Sequence, residues 1–300
     1  MSEIIIIGAA VIDILARPAS AAVFETGSYA TEDIRMALGG DALNEALILS
    51  RMGKKVCLET VIGDDHAGRF IAAQCRKNGI MIEERQIRSD FPTGINVVLV
   101  GEDGERSFLT NPSGSLRRLT VDDICMPFDK KAKILCFASI FVFPKIRTEQ
   151  LAYIFSQAKR QGIIVCADMT KCKNNETVPD MAKAFSYIDY LFANEAEASL
   201  LTGETDMKKA AGALLLSGVK HVIIKRGKKG CFVKTDSKEY QIPAKEAVCI
   251  DTTGAGDSFT AGFIYALSKG ETLEHCARFA NECGAKAVSV LGAAEWIIAK

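Results

Sequence analysis

The sequence predicts an α/β fold in which a mainly parallel sheet carries helices on both faces and a small β-sheet lid at one edge. Short apolar runs of strand length take turns with longer helical patterns along most of the 300 residues, and that alternation implies parallel strands joined by crossover helices. Two stretches, residues 11–36 and 86–110, break the rhythm with strand-like pieces and no convincing helix, which marks a β-subdomain inserted at the edge of the core. No repeat and no Pro/Gly/Ser-rich linker divides the chain, so residues 1–300 read as a single domain plus its lid.

Taken in order, Ile4-Ile5-Ile6-Ile7 is apolar on both faces, as a central strand requires. Residues 41–52 carry a helical pattern that stops at Gly53; 56–62 follow as a strand and 67–78 as a helix. Within the lid, 94–100 and 105–110 read as antiparallel strands around Gly101-Glu102-Asp103-Gly104, where Asp-Gly is a hairpin signal. Such a flap suits covering a site and excluding water, and a plain edge hairpin is the alternative. The alternation resumes with strand 133–138, helix 148–161 and strand 163–167. Strand 190–193 leads into helix 195–202, helix 207–217 into strand 221–225, and helices 255–268 and 273–288 close the chain.

Composition narrows the function classes. Lys+Arg and Asp+Glu both number 37, and a zero formal charge argues against a general nucleic-acid binder. The 10 cysteines include no C-x-x-C pair, and several (Cys57, Cys136, Cys166, Cys249) sit in apolar runs, a usage that fits a reducing compartment. With 3 histidines, no His/Cys cluster has zinc-ligand spacing. The first residues lack the basic and long apolar regions of a signal peptide, and no window approaches the roughly 18 apolar residues of a membrane span. The expectation is a cytoplasmic protein with no membrane or nucleic-acid partner.

The most informative segment is Asp251-Thr252-Thr253-Gly254-Ala255-Gly256-Asp257, which runs straight into a helical apolar stretch. A helix N-terminus leaves N–H groups unpaired and carries partial positive charge. Gly254, Ala255 and Gly256 let an anion approach those groups, and Asp257 then sits beside the anion. That arrangement suits phosphoryl transfer, with donors holding the moving charge while a carboxylate takes a hydroxyl proton. An ordinary cap with Asp in the first turn is the plain alternative.

Four other places offer polar groups at element ends. Gly8-Ala9-Ala10 follows the first strand without G-x-G-x-x-G spacing, so a dinucleotide loop is weak there; Asp13 suits accepting bonds from sugar hydroxyls, or is a turn residue. Gly39-Gly40-Asp41 opens a helix, with Asp41 and Asn44 one turn apart, as ligand groups or as a cap. Asn194 and Glu197 share a helix face, where an amide and a carboxylate hold the water shell of Mg2+ or form a capping pair. Lys225-Arg226-Gly227-Lys228-Lys229-Gly230 is a basic glycine-rich turn suited to a nucleotide, or a solvated hairpin turn; no Walker-type P-loop occurs.

Together these residues resemble the ribokinase-like (PfkB) carbohydrate kinases. Residues 251–264 fit that family's C-terminal signature, Gly39-Gly40-x-x-x-Asn44-x-Ala46 fits the N-terminal one, and Asn194-x-x-Glu197 lies between them. Gly63-Asp64-Asp65-His66-Ala67-Gly68 is similar to a further, structural landmark. The resemblance runs from Gly8 to about Gly292 and implies a three-layer ribokinase-like sandwich with a β lid. It implies an ATP-dependent kinase acting on a hydroxymethyl group, with Asp257 as base and the backbone N–H groups of Gly254, Ala255 and Gly256 as anion hole. Asp13, Gly40 and Asn44 would hold sugar hydroxyls, beside Gly39 and Asp41, with lid residues Asn96 and Phe108 and also Phe141 and Phe143 shaping the pocket. Asn194 and Glu197 would organise Mg2+ and the phosphates. Lys225, Gly227 and Gly230 would lie along the nucleotide, with Asn281 near the adenine. A K+ site would fall at Asp251, Thr253, Ala287, Val290 and Gly292, and a homodimer through the lid is common among such proteins.

Two departures stand out. The D-x-N-x-R motif of several relatives is replaced by Asp168-Met169-Thr170-Lys171-Cys172, and Trp296 aligns near a Ser that closes the cation site elsewhere. Asp41 suits a neutral polyol and repels a sugar phosphate. Fructose and ribose are therefore the leading acceptors, followed by 2-keto-3-deoxygluconate and nucleosides, and a non-catalytic sugar or nucleotide sensor on the same fold is the alternative to a kinase.

Overall fold

The computed structural model describes residues 2–102 and 106–297. The chain opens with β1 (Ile4–Ile7), β2 (Val11–Arg17), α1 (Val23–Thr26), β3 (Asp33–Gly39), α2 (Asp41–Arg51) and β4 (Val56–Glu59). It continues through β5 (Ile62–Gly63), α3 (His66–Lys77), β6 (Ile87–Arg88), β7 (Ile95–Val100), β8 (Arg106–Thr110) and β9 (Ile134–Ile140). The second half comprises α4 (Thr148–Arg160), β10 (Ile164–Met169), α5 (Val178–Phe185), β11 (Tyr190–Asn194), α6 (Glu195–Thr202), α7 (Met207–Leu216) and β12 (His221–Lys225). Then come β13 (Cys231–Lys234), β14 (Glu239–Ile242), α8 (Ala255–Leu267) and α9 (Leu273–Val288).

The central sheet runs in the order β14-β13-β12-β11-β10-β9-β1-β4. Pairings from β4 across to β12 are parallel, and β13 and β14 extend the far edge antiparallel. Side chains alternate between faces along each strand, so the sheet builds two cores. Ile4 and Ile6, with Cys136 and Phe192, pack beneath α2, α3, α8 and α9 through Leu43, Ile71, Phe263 and Ala280. Ile5 and Ile7, with Phe137 and Leu191, pack against α4–α7 through Phe155, Phe185, Leu201 and Leu214. Each of the four isoleucines is at most 2% exposed, which explains why the run is apolar at every position rather than at alternate ones.

A second sheet, β3-β2-β7-β8, forms the lid. Its make-up differs from expectation at both ends: β3 runs on to Gly39, and residues 86–94 stay outside it, with β6 pairing β5 in a separate two-stranded sheet. The expected strand 56–62 is accordingly two strands, β4 in the main sheet and β5 outside it. Strands β7 and β8 pair antiparallel as expected, while the Asp103-Gly104 turn lies outside the described residues. The Gly63–Gly68 landmark is structural: Asp65 caps α3 at Gly68 N (2.8 Å) and accepts the N–H and hydroxyl of Thr93 (2.8 and 2.7 Å), which anchors the segment entering β7. Among the described residues no helix is long and apolar enough to cross a membrane.

Candidate active site

The C-terminal ends of the parallel strands and the N-termini of α2, α6 and α8 converge at one edge of the sheet, under the lid, where open α/β sheets place their ligands. Asp168 stands one residue before the end of β10, Asn194 ends β11 and Lys225 ends β12, with Asn194 and Lys225 in register.

Asp257 stands in the first turn of α8, which Gly254 opens in a left-handed conformation (φ 68°). A Cβ on Gly254 would lie 2.4 Å from the Cβ of Ala293, so glycine is required there for space as well as for φ. Ala255 N–H bonds Thr252 O (3.3 Å) and the first helical bond is Ser258 N to Gly254 O (2.7 Å), which leaves the N–H groups of Gly256 and Asp257 facing outward. Of the three N–H groups expected to form an anion hole, that of Ala255 is the one this turn already engages.

Asn44, expected at the sugar hydroxyls, donates its amide to Asp257 Oδ2 at 2.7 Å and so also orients the candidate base. Burial drives the Asp257 carboxyl well above its ordinary pKa and Asp41 reinforces the effect, while Asn44 and Lys225 oppose it. The N-terminus of α2 supplies Asp41 as well, bonded to the Ser139 hydroxyl beyond the middle of β9. Burial, followed by Asp168, raises Asp41 to about 6. Next to Asn44, Glu45 is fully buried with the weakly donating Cys136 thiol beside its carboxyl group, and burial raises its pKa well above the usual range. Its charge is expensive there, which favours the neutral acid.

On the lid side, Asn96 Nδ2 donates to Asp13 Oδ1 (2.9 Å), and Asn96 Oδ1 is a buried acceptor without a partner. An orphaned acceptor beside a carboxylate fits a ligand hydroxyl that would donate to it. The Asp13 carboxylate fills the space over Gly39, where a Cβ would stand 2.2 Å from Oδ2, and Gly40 (φ 92°) lies against Ala9 O. Strand register puts Phe108 on the same lid face as Asn96 and Asp13, at the rim, since it is 57% exposed. Phe143 is a core residue instead, packed edge-to-face on Phe137 with centroids 6.0 Å apart.

Asn194 and Glu197 form the capping pair: Asn194 N donates to Glu197 Oε2 and Glu197 N to Asn194 Oδ1, both at 2.8 Å. Burial raises the Glu197 pKa and the nearby Lys225 works against it. The space over Gly227 is open, whereas Gly230 is pressed against β14 and the residues after it, where a Cβ would meet Ile242 O at 2.0 Å. Asn281 spends its amide nitrogen on the carbonyls of Ile242 and Pro243 (3.2 and 3.1 Å), tying α9 to the same segment.

The two loops of the expected cation site do meet. Asp251 Oδ1 accepts from Thr253 N–H and its hydroxyl (2.9 and 2.7 Å), Asp251 Oδ2 accepts from Gly292 N (3.0 Å), and Ile250 N bonds Val288 O (2.7 Å), between Ala287 and Val290. Trp296 donates its indole N–H to Ser258 (2.9 Å), beside this junction.

Residues missed as site members are Asp168, Ser139, Thr260 and Glu45. Asp168 carried a signal, a carboxylate directly after an apolar strand. Ser139 and Phe141 adopt positive φ (58° and 82°) at non-glycine positions, which no local pattern announces.

A helix turn with outward N–H groups, a carboxylate held beside it and polar groups on the lid side thus lie together at the sheet edge. The chain belongs to the pfkB family of carbohydrate kinases, whose model matches residues 1–299. It is 29% identical to the ribokinase of Haemophilus influenzae over 267 residues (87% of this chain, 84% of that protein). It is 26% identical to fructokinase-2 of Oryza sativa over 301 residues (95% and 88%). Among solved structures, the ribokinase of Thermotoga maritima superposes with a TM-score of 0.82 at 28% identity, covering 100% of this chain and 97% of that one.

Proposed function

We propose that the protein transfers the γ-phosphoryl group of ATP to a hydroxymethyl group of a neutral sugar, with fructose or ribose as acceptor and 2-keto-3-deoxygluconate or a nucleoside as the alternative. The observation that carries the reading is the placement of Asp257, beside the outward N–H groups of the α8 turn and bonded to Asn44. Asp13, Asn96 and Asp41 are acceptors for sugar hydroxyls, and carboxylates at Asp13 and Asp41 disfavour an anionic sugar. Asp257 takes the hydroxyl proton as the oxygen attacks phosphorus.

Mg2+ fits the site through water: the capping pair uses Glu197 Oε2 and leaves Oε1, beside Asn194, to the metal's hydration shell. Bound there, the ion would neutralise phosphate charge. K+ fits the Asp251–Thr253 and 287–292 loops, which Asp251 holds together, through backbone carbonyls. Gly227 offers open backbone to the nucleotide. Apolar residues exposed on the lid, Ile34 (68%), Met36 (53%) and Leu109 (59%), support a homodimer through it.

The test is ADP release with Mg-ATP, with and without K+, across fructose, ribose, 2-keto-3-deoxygluconate, fructose 6-phosphate and adenosine. Turnover with one neutral sugar supports the assignment; preference for fructose 6-phosphate or for the 2-keto-3-deoxygluconate anion overturns the neutral-acceptor reading.

A further inference from the structure

Lys225 lies beneath the α8 turn with its side chain 16% exposed. Its ammonium stands 2.8 and 2.7 Å from the two carboxylate oxygens of Asp168. Asp168 is itself fixed, accepting the Thr260 hydroxyl from the second turn of α8 (2.7 Å) and the N–H of Met169 (2.9 Å). An ammonium has three N–H donors, so the ion pair leaves one unspent. Above it the space is open: a Cβ on Gly256 would meet one atom within 4 Å, Lys225 Nζ at 3.5 Å. The volume that the N–H groups of Gly256 and Asp257 face is thus bordered from below by this cation. Its charge is felt at Asp257, Glu197 and Asp41, which places it between the candidate base and the metal-binding end of the site. The neighbouring cations are turned elsewhere: Arg226 bonds Glu195 (2.9 Å), and Lys228 and Lys229 are exposed.

We propose that Lys225 is a catalytic cation that donates its remaining N–H to the phosphoryl group in flight, with Asp168 and Thr260 as the positioning residues that hold it under the α8 turn. This rests on the kinase reading above and moves Lys225 from a place along the nucleotide to the reacting centre. In the transfer, the acceptor oxygen forms a bond to the γ-phosphorus. The bond from that phosphorus to the β,γ-bridging oxygen breaks, and its electron pair leaves on ADP. The hydroxyl proton goes to Asp257. Charge on the non-bridging oxygens then meets the α8 N–H groups on one side and the Lys225 ammonium on the other, in a site where such donors act at low dielectric. Asp168 has a second use here. Burial alone would depress the Lys225 ammonium, and the carboxylates of Asp168 and Glu197 outweigh that and keep it charged.

The experiment compares binding of Mg-ADP alone with Mg-ADP plus aluminium fluoride, a mimic of the moving phosphoryl group, by titration calorimetry. Lys225→Met is measured beside Lys225→Met/Asp168→Asn, since the double variant removes the Asp168 charge that would otherwise be left unpaired and so separates folding loss from charge loss. The expected result is Mg-ADP affinity within about threefold of wild type in both variants, with the fluoroaluminate complex weakened about 100-fold or more, the scale for removing one transition-state donor. Where turnover is measured, kcat falls by a similar factor while KM for ATP holds, and Lys225→Arg recovers part of it. Equal loss for both ligands, or loss for neither, overturns the role of Lys225 and leaves the kinase reading standing. A wild-type protein that binds no Mg-ADP overturns the kinase reading itself.

Discussion

Replacing Asp41 with Asn should stabilise the protein above neutral pH while damaging its sugar site. Asp41 is partly buried at the N-terminus of α2, and its carboxyl is raised from 3.8 to about 6 by burial and by Asp168. A carboxyl whose folded pKa exceeds its unfolded value holds its proton more tightly in the native state. Stability is therefore lost as pH rises from about 4 to about 6 and stays lost above that. The rise from 3.8 to about 6 corresponds to about 3 kcal/mol as a ceiling, and the partial exposure of Asp41 reduces it to about 1–3 kcal/mol. With an unfolding entropy of about 2.1 cal/mol/K per residue over a chain of this length, that is a rise in Tm of about 2–5 °C. The Ser139 hydroxyl keeps an acceptor in the Asn variant, so its bond survives. The assay is Tm by differential scanning fluorimetry for wild type and Asp41→Asn at pH 4.5, 6 and 8. The gain should be smallest at pH 4.5, about a third of its full size, and full at pH 8. A gain independent of pH, or a variant less stable at pH 8, would refute the argument that an ionised Asp41 is costly to the fold.

Three further outcomes are expected. Asp257→Asn should lower kcat by about 10²–10⁴ with Mg-ATP and sugar affinities retained, read by steady-state kinetics and calorimetry. Asn44→Ala removes a donor that favours the Asp257 carboxylate, so the acid limb of the pH–kcat/KM profile should move to higher pH; a limb in the same place would separate Asn44 from the base. Gly230→Ala forces a Cβ to 2.0 Å from Ile242 O at φ 84°, and should cost about 2–4 kcal/mol in urea unfolding, whereas Gly227→Ala, with open space around it, should cost about 1–2 from backbone strain alone.

Local signals explain what the sequence by itself determined. Strand–helix alternation, four consecutive isoleucines and a small-residue turn ahead of an apolar helix are short-range patterns, and they were enough for the layered fold, the lid and the position of Asp257 in α8. The helix N-termini that present Asp41, Asn194 and Asp257 were legible for the same reason, since capping chemistry acts within three or four residues.

What only the tertiary structure decided are relations between distant segments. Asn44 holds Asp257 from 213 residues away, Asp168 holds Lys225 across 57, and Thr260 reaches back 92 to the same carboxylate. The break of 56–62 into two strands, the spending of the Asn281 amide on the β14 end and the packing of Phe143 on Phe137 belong to the same class. The physical reason is strand order: β10, β11 and β12 are neighbours in the sheet, so the residues that end them converge whatever their spacing along the chain. Each residue's chemistry is local and could be read from its type. Which partner sets its charge, orientation and proton affinity depends on where the sheet brings the chain back together.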